Sequence, residues 1–261
     1  MKKAIRYFFD PEPYHSYKHF FDVYVLVGMS DKKGIGNGKK PKKPKFGTSF
    51  GEDGVLLTDP ESIFTNPAIA ALGLDLSKTT FVVITNAVSD EGFSILYENG
   101  CTVSYCPLSN TNNYPNDFGG NVQFEAGGRG FGHLGDERVS KDDKPGNDQL
   151  NGLKLGHLKN WYANLSESGS MGSVPWEHLF EDSFYNDIVD IYEGGMGYTQ
   201  GVYRSEANSC MSNKIAYYNT VSREAIVRRI MELSGEEFSF ESFKANDVTQ
   251  PHNETRVNGG L

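Results

Sequence analysis

The segment FEAGGRGFGHLGDE, residues 124–137, is the feature that most restricts how this chain can fold. Five of its fourteen residues are glycine. A glycine inside a helix costs about 1 kcal/mol relative to alanine. A helix here therefore needs a specific reason for its glycines, and close packing against the backbone or a widened turn would each be such a reason.

Four apolar runs predict β-strands. Residues 19–29 are rich in β-branched and aromatic side chains and predict a strand with at least one buried face. Residues 79–87, 93–98 and 101–107 follow one another with short turns, including the ENG of residues 98–100. We expect these last three strands to belong to one sheet.

Two segments predict helices. Residues 58–73 open with a capping residue and a proline at the first helical position, and we expect an interruption near Pro67. Residues 222–235 have apolar side chains at helical spacing, with Ser222 as the expected cap and Gly235 after the end. Between these regions, the polar residues 141–152 predict a loop.

The three cysteines, Cys101, Cys106 and Cys210, are too few for a disulfide framework, so we expect free buried thiols. The glycosylation sequons at Asn164 and Asn253 have a consequence only in a glycosylating host.

Composition and charge exclude several classes of function. A formal net charge of -9 argues against a nucleic-acid partner, because phosphate binding requires a basic face. No apolar run approaches the roughly 20 residues of a transmembrane helix, and the N-terminus lacks the apolar core and cleavage site of a signal peptide. The basic run KKPKKPK, residues 39–45, predicts a solvated loop or a contact with an acidic partner.

The glycine-rich segment resembles the signature HEAGGHGFG-x-L-x-DEY of the IgA-peptidase family of bacterial zinc metallopeptidases, a branch of the zincins. Residues 7–30, 97–109, 193–213 and 221–235 also resemble parts of that family. The resemblance implies an α/β (α+β) zincin-like domain over residues 1–261, with a mixed sheet, an active-site helix and a methionine turn. Zincins point two histidines and a glutamate at one metal-bound water.

The resemblance places the family's first zinc histidine on Phe124, its general base on Glu125 and its second histidine on Arg129. The third ligand, an aspartate, falls on Asp136, and the methionine turn on Met211. Phenylalanine and arginine offer no lone pair to a metal. We therefore expect no tightly bound zinc, although zinc is the cofactor of the family.

The two lost ligand positions, 124 and 129, are five residues apart, and on a regular α-helix their side chains would diverge by roughly 140°. A π-bulge at Gly127 and Gly128 would bring them together. The cation of Arg129 could then take the electrostatic place of zinc and pair with Glu125 and Asp136.

A rearranged metal site remains an alternative, in which His133 joins Asp136 and either Glu125 or Glu137. The other interpretation of His133 is a half-exposed residue just past the helix end. Arg138 stands where the family has a tyrosine.

Tyr203 and Arg204 resemble the family's cleft wall. They could bind a peptide backbone or carboxylate, or they could buttress the methionine turn.

These features predict a catalytically inactive metallopeptidase homologue whose cleft binds a peptide or protein. One alternative is an active metal-dependent endopeptidase with rearranged ligands. Another is a structural module of a larger bacterial surface protein. The resemblance implies a secreted or cell-surface protein.

Overall fold

The computed structural model describes residues 1–30, 34–37, 40–42, 44–46, 48–50, 56–57, 59–89, 92–114 and 116–249. Within these ranges the chain has a mixed α/β fold. Its α-helices are α1 (Lys2–Phe9), α2 (Tyr14–Tyr17), α3 (Glu61–Phe64), α4 (Pro67–Ala70), α5 (Phe118–Asn121), α6 (Asn147–His157), α7 (Cys210–Asn213), α8 (Thr220–Ser234) and α9 (Phe240–Asn246). A π-helix, Val122–Phe131, continues α5. Short 3-10 helices are Lys18–Phe20, Leu76–Lys78, Met171–Ser173 and Glu177–Leu179.

The described strands form three mixed sheets. They are β1 (Gly36–Asn37), β2 (Lys40–Pro41), β3 (Ser49–Phe50), β4 (Leu56–Leu57), β5 (Thr80–Val88), β6 (Phe93–Leu96), β7 (Thr102–Leu108), β8 (Val139–Lys141), β9 (Leu165–Ser166), β10 (Tyr192–Gly195) and β11 (Gly197–Arg204). The first sheet has the order β2-β1-β3-β4. In another sheet, β11 pairs antiparallel with β10 and with β9, and it pairs parallel with β8.

The sheet that carries the candidate site has the order β5-β7-β6. β5 runs parallel to β7 and β6 runs antiparallel to it, so the predicted common sheet is confirmed. The turn between β6 and β7 closes with a hydrogen bond from the Tyr97 amide to the Cys101 carbonyl, and Gly100 adopts a φ of 88° there. β7 is buried along nearly its whole length, and the π-helix packs against it.

The strand predicted for residues 19–29 is wrong. Residues 18–20 form a 3-10 helix, and residues 21–30 have no regular secondary structure. The local pattern favours an extended chain, but a strand also needs a neighbour to complete its hydrogen bonds. None of the described strands pairs with this segment.

The loop predicted for residues 141–152 is wrong in its second half, where α6 begins at Asn147. α6 forms because Leu153 is buried and Leu150 is partly buried against Leu165 and Val202. Tertiary packing thus overrides a polar local sequence.

Both segments predicted to be helical contain helices, but the second helix has a different N-terminal capping residue from the one predicted. α3 and α4 are separated at residues 65–66, which confirms the interruption near Pro67. α8 begins at Thr220 because Asn219, three residues before the expected Ser222, caps it, with Asn219 Oδ1 accepting from the Ser222 amide at 2.9 Å. Gly235 ends α8 at a φ of 79°, as predicted.

Cys101, Cys106 and Cys210 are all free and buried, as predicted. Within the described part of the chain, every helix is too short or too polar to cross a membrane. Two motifs from the sequence fall partly or wholly outside the described residues, namely the basic run 39–45 and the sequon at Asn253.

Candidate functional site

A π-helix forms the centre of the candidate site. Its wider turns are closed by bonds between residues five apart, and one such bond joins the Gly132 amide to the Gly127 carbonyl at 2.8 Å. The widened turn predicted at Gly127 and Gly128 is therefore confirmed. It extends over the whole of Val122–Phe131, so residues five apart, such as Phe124 and Arg129, come towards the same side.

Close packing also explains the glycines of this helix. A Cβ on Gly128 would lie 2.2 Å from Met211 Sδ, and a Cβ on Gly127 would lie 2.3 Å from the Tyr218 hydroxyl oxygen. Neither distance is sterically possible. The same backbone is held by hydrogen bonds, since the Tyr14 hydroxyl donates to the Gly127 carbonyl at 2.6 Å.

Met211 lies directly against the π-helix and is fully buried. It belongs to α7, which opens with a capping box between Ser209 and Ser212. The Met211 carbonyl accepts a hydrogen bond from the Glu137 amide at 3.0 Å, which links this turn to the segment after the π-helix. The position is the one that the family resemblance assigns to the methionine turn.

The ring of Phe124 is covered by cations. The Arg138 guanidinium carbon lies 4.6 Å from the centroid of this buried ring, and Lys214 Nζ lies 5.6 Å from it. Arg138 also forms a bidentate ion pair with Asp136, in which Nη2 donates to Oδ2 at 2.7 Å and Nε donates to Oδ1 at 3.0 Å. Phe124 and Asp136, which the resemblance assigns to ligand positions, are thus joined through Arg138.

The expected pairing of Arg129 is confirmed with Glu125 and is wrong for Asp136. Arg129 Nη1 lies 3.8 Å from Glu125 Oε1, an ion pair longer than a hydrogen bond, and the Arg129 side chain is 33% exposed. Asp136 is bound by Arg138 instead. The guanidinium that pairs with Asp136 is therefore that of Arg138.

Glu125 is almost fully buried beside the edge strand β6. Its Oε2 accepts from the Ser94 hydroxyl at 3.0 Å, and its carbonyl accepts from Ser94 and Ser104 at 2.9 and 3.1 Å. Burial raises the pKa of Glu125, and the nearby charge of Arg129 opposes that rise. A raised pKa suits a carboxyl group that exchanges protons, but the Ser94 hydrogen bond holds one of its oxygens.

His133 was expected to be half-exposed, and that prediction is wrong. The residue is 2% exposed, adopts a φ of 51°, and packs edge-on against Trp161 at a centroid distance of 5.4 Å. Burial, aided by the charge of Arg229, lowers its pKa to about 3. Its Nε2 has no hydrogen-bond partner among the described residues.

Glu137 is the centre of a buried polar network. Its Oε1 accepts from Asn164 Nδ2 at 2.7 Å and from Asn219 Nδ2 at 2.8 Å, and its Oε2 accepts from the Ser209 hydroxyl. Burial raises its pKa to about 7 against the lowering effect of these hydrogen bonds. The network joins the end of the π-helix to the caps of α7 and α8.

Asn164 contributes a second pair of contacts, since its Oδ1 accepts from the Gly135 amide at 2.7 Å and its Nδ2 donates to the Gly135 carbonyl at 3.0 Å. A side chain buried in this way cannot carry a glycan in the folded protein, so the sequon at Asn164 is a structural feature.

Tyr203 and Arg204 lie in β11, and the described hydrogen bonds of Arg204 are to the neighbouring strand β10. Arg204 Nη1 donates to the carbonyls of Glu193 and Gly194 at 3.0 and 2.7 Å. Tyr203 packs over Gly169, where a Cβ would lie 2.7 Å from the ring. Their described contacts buttress the β10–β11 hairpin.

The residues at the family's zinc positions do not fit zinc. Phe124 and Arg129 provide no lone pair, and Asp136 is engaged with Arg138. Among the described residues, no group of three or more His, Cys, Asp or Glu side chains is close enough together to hold a metal ion. Glu137, proposed with His133 for a rearranged site, is held by the asparagines of its own network.

The sequence did not identify three contributors to the site. Ser94 is a small polar residue within an apolar strand, which is a weak signal for a hydrogen bond to a buried group. Arg138 was visible as a departure from the signature, but its reach back to Phe124 was not. Lys214 adopts a φ of 57° at the end of α7, and this conformation gave no signal in the sequence.

No protein-family model matches this chain, and a search of the curated proteins gives no match either.

Proposed function

We propose that this protein is a catalytically inactive relative of zincin-type metallopeptidases, of the kind found in the IgA-peptidase family, and that its cleft binds an extended peptide or protein segment. The observation that carries the proposal is Arg138 seated between the buried ring of Phe124 and the carboxylate of Asp136. A fixed organic cation at these positions leaves the reaction without a metal-bound water.

Other contacts of the π-helix support the proposal. The π-helix, the fully buried Met211 against Gly128 and the buried carboxyl group of Glu125 are formed by the residues that the resemblance assigns to the active-site helix, the methionine turn and the general base. Because Tyr218 and Met211 pack directly against this helix, positions 127 and 128 have no room for a side chain. We infer that the zincin-like architecture was retained while the ligand histidines were lost, and that the protein acts outside the cell or on its surface.

Peptide binding is proposed from the position of β6. This strand is the last in the order of its sheet among the described strands, and its Ser94 contacts Glu125 directly. An extended peptide can add to such an edge through main-chain hydrogen bonds. The partly exposed guanidinium of Arg129 would then lie within reach of the peptide's side chains or carboxylate.

The first test measures the zinc content and the peptidase activity of the protein. Protein purified without chelator and dialysed should contain far less than one zinc per chain by elemental analysis, and it should not cleave a peptide library with zinc added. Stoichiometric zinc with cleavage would instead favour an active endopeptidase with rearranged ligands.

The second test measures binding. Peptides selected from a random library on the wild-type protein should bind Arg129→Glu at least about tenfold more weakly. Lys154→Glu, a charge reversal at an exposed position of α6, is the matched control and should bind like the wild type. If no peptide is selected, or if both variants bind equally, the cleft is not a peptide site and a structural module becomes the better interpretation.

A further inference from the structure

A cavity of about 830 Å³ lies beside the sheet that carries the candidate site. One wall is β5, the end strand of that sheet among the described strands, and other walls are α1 and the end of α8. The lining includes Phe131 at the end of the π-helix but neither Glu125 nor Arg129. The cavity is therefore separate from the candidate peptide site.

Residues 21–28 form a further wall of the cavity and are anchored at both ends. At one end the ring of Phe21 packs against that of Phe131, at a centroid distance of 4.8 Å. At the other end a Cβ on Gly28 would lie 2.5 Å from the ring of Phe46, which itself packs against a buried apolar cluster. The protein's own contacts therefore hold this wall in place, although residues 21–28 have no regular secondary structure.

The lining of the cavity is mostly apolar, and its charges balance. Most of the lining side chains are aromatic or aliphatic, including those of Phe8, Ile35, Ile69 and Ile84. The charged side chains among the described lining residues are two acids and two bases, namely Asp22, Asp75, Lys45 and Lys78. A cavity of this size and lining is typical of a site for a small apolar molecule. Because burial of an unpaired charge in an apolar site is costly, the molecule that fits is uncharged.

Thr85 adds a polar group to this lining. It lies in β5, is 3% exposed, and its hydroxyl has no hydrogen-bond partner among the described residues. The residue opposite it in β7 is Pro107, whose nitrogen carries no hydrogen to donate. A buried hydroxyl without a partner is unfavourable, because it has lost its hydrogen bonds to water. A ligand with one hydrogen-bonding group would satisfy this hydroxyl, which can both donate and accept.

We propose that the cavity binds an uncharged amphiphile, which is a molecule with an aliphatic chain and a neutral hydrogen-bonding head group such as a hydroxyl, amide or ester. The chain packs against the apolar walls and leaves water. The head group forms a hydrogen bond with the Thr85 hydroxyl. This site goes beyond the proposed peptide binding and does not depend on it, because Thr85 and the apolar walls take no part in the peptide site.

Displacement of the uncharged dye Nile red tests the binding. The wild-type protein should take up the dye, and 1-decanol should displace it. Decanoate and decylammonium have the same chain length but a charged head group, and they should require at least about tenfold higher concentrations. Saturating 1-decanol should also raise the urea concentration at which the protein unfolds. If the protein takes up neither the dye nor the alcohol, or if a charged analogue binds as well as the alcohol, the proposal is overturned.

A bulky substitution locates the binding. The indole of Val82→Trp would occupy part of the cavity, so this variant should no longer bind 1-decanol. Val88→Trp, at a 44% exposed position of the same strand outside the lining, is the matched control and should bind like the wild type. Equal binding by the two variants would place the alcohol elsewhere on the protein and overturn the proposal.

A conservative substitution tests the hydrogen bond. Thr85→Val removes the hydroxyl with little change in side-chain shape, and it should bind 1-decanol about three- to tenfold more weakly. The variant should not unfold at a lower urea concentration than the wild type, because the hydroxyl that it removes has no described partner. It therefore provides the test even if Val82→Trp does not fold. Unchanged affinity for 1-decanol in Thr85→Val would contradict the proposal.

Discussion

The guanidinium of Arg138 lies 4.6 Å from the ring centroid of Phe124 and holds Asp136 with bonds to both carboxylate oxygens. The two residues that the family resemblance assigns to metal-ligand positions are thus bridged by a side chain of the protein itself. The cation is permanent, because an arginine does not lose its proton in a protein. The bridge connects the π-helix to the segment that follows it.

The first prediction is that Arg138→Ala lowers the free energy of unfolding by about 1 to 3 kcal/mol. It removes a bidentate ion pair and a cation–π contact, in a site where the two charged side chains are 34% and 22% exposed. Arg129→Ala, whose guanidinium lies 3.8 Å from Glu125, should cost less than about 1 kcal/mol. Urea unfolding of both variants beside the parent measures the difference. A larger loss for Arg129→Ala would restore Arg129 as the principal cation of the site.

A second prediction concerns the contact between Gly128 and Met211. Gly128→Ala should destabilise the protein by about 1 to 3 kcal/mol, because the added Cβ would lie 2.2 Å from Met211 Sδ and one element must shift. Gly152→Ala is the control, since this helical glycine has nothing within 4 Å of the added Cβ. It should stabilise α6 by up to about 1 kcal/mol. Equal effects in thermal unfolding would mean that the π-helix and Met211 are not in close contact.

The part of the fold that the sequence predicts is the part determined by local pattern together with sterics. The resemblance pairs positions 124 and 129, which are five residues apart and need a widened turn to come together, and the π-helix has such turns. Short turns between three apolar runs predicted the sheet of β5, β6 and β7. The turns of the sheet are local, whereas the glycines of the π-helix also pack against Met211 and Tyr218, which are distant along the chain.

The failed predictions depended on distant partners. Residues 19–29 favour an extended chain, but the pattern does not say whether a neighbouring strand is available. The helix α6 is stabilised by Leu153, which is buried against Val202, about fifty residues further along the chain. His133 is buried against Trp161, a residue distant along the chain, and adopts a φ of 51°, which its residue type does not predict.

A third prediction reverses the loss of the metal ligands. The variant Phe124→His/Arg129→His/Arg138→Tyr should bind about one zinc per chain, because it restores two imidazoles and releases Asp136 from its ion pair. Elemental analysis after dialysis measures the zinc. The control Phe124→Ala/Arg129→Ala/Arg138→Tyr releases Asp136 without adding imidazoles and should take up none. If the histidine variant folds and remains free of zinc, the assignment of positions 124 and 129 as former ligands is wrong.

The fourth prediction is that Glu137 and His133 oppose each other in the dependence of stability on pH. The pKa of Glu137 is raised from 4.5 to about 7, so between these values the folded state binds more protons and stability falls as pH rises. The pKa of His133 is lowered from 6.5 to about 3, so over that range the unfolded state binds more protons and stability rises with pH. Between pH 4.5 and 6.5 the two effects offset each other.

Single substitutions should reveal each effect. Relative to the parent, Glu137→Gln should become less stable as pH falls from 6.5 to 4.5, by up to about 1.4 kcal/mol per pH unit. The amide oxygen of the glutamine can still accept from Asn164 and Asn219, whereas the hydrogen bond from the Ser209 hydroxyl is lost, which lowers stability at every pH without adding a slope. His133→Asn, which tolerates the positive φ, should instead lose stability as pH rises from 4.5 to 7. Urea unfolding at half-unit pH steps measures how the free energy of unfolding changes with pH for the parent and both variants. Removing a group that titrates in this range must change that pH dependence. Parallel curves for all three proteins would therefore show that neither residue controls stability in this range.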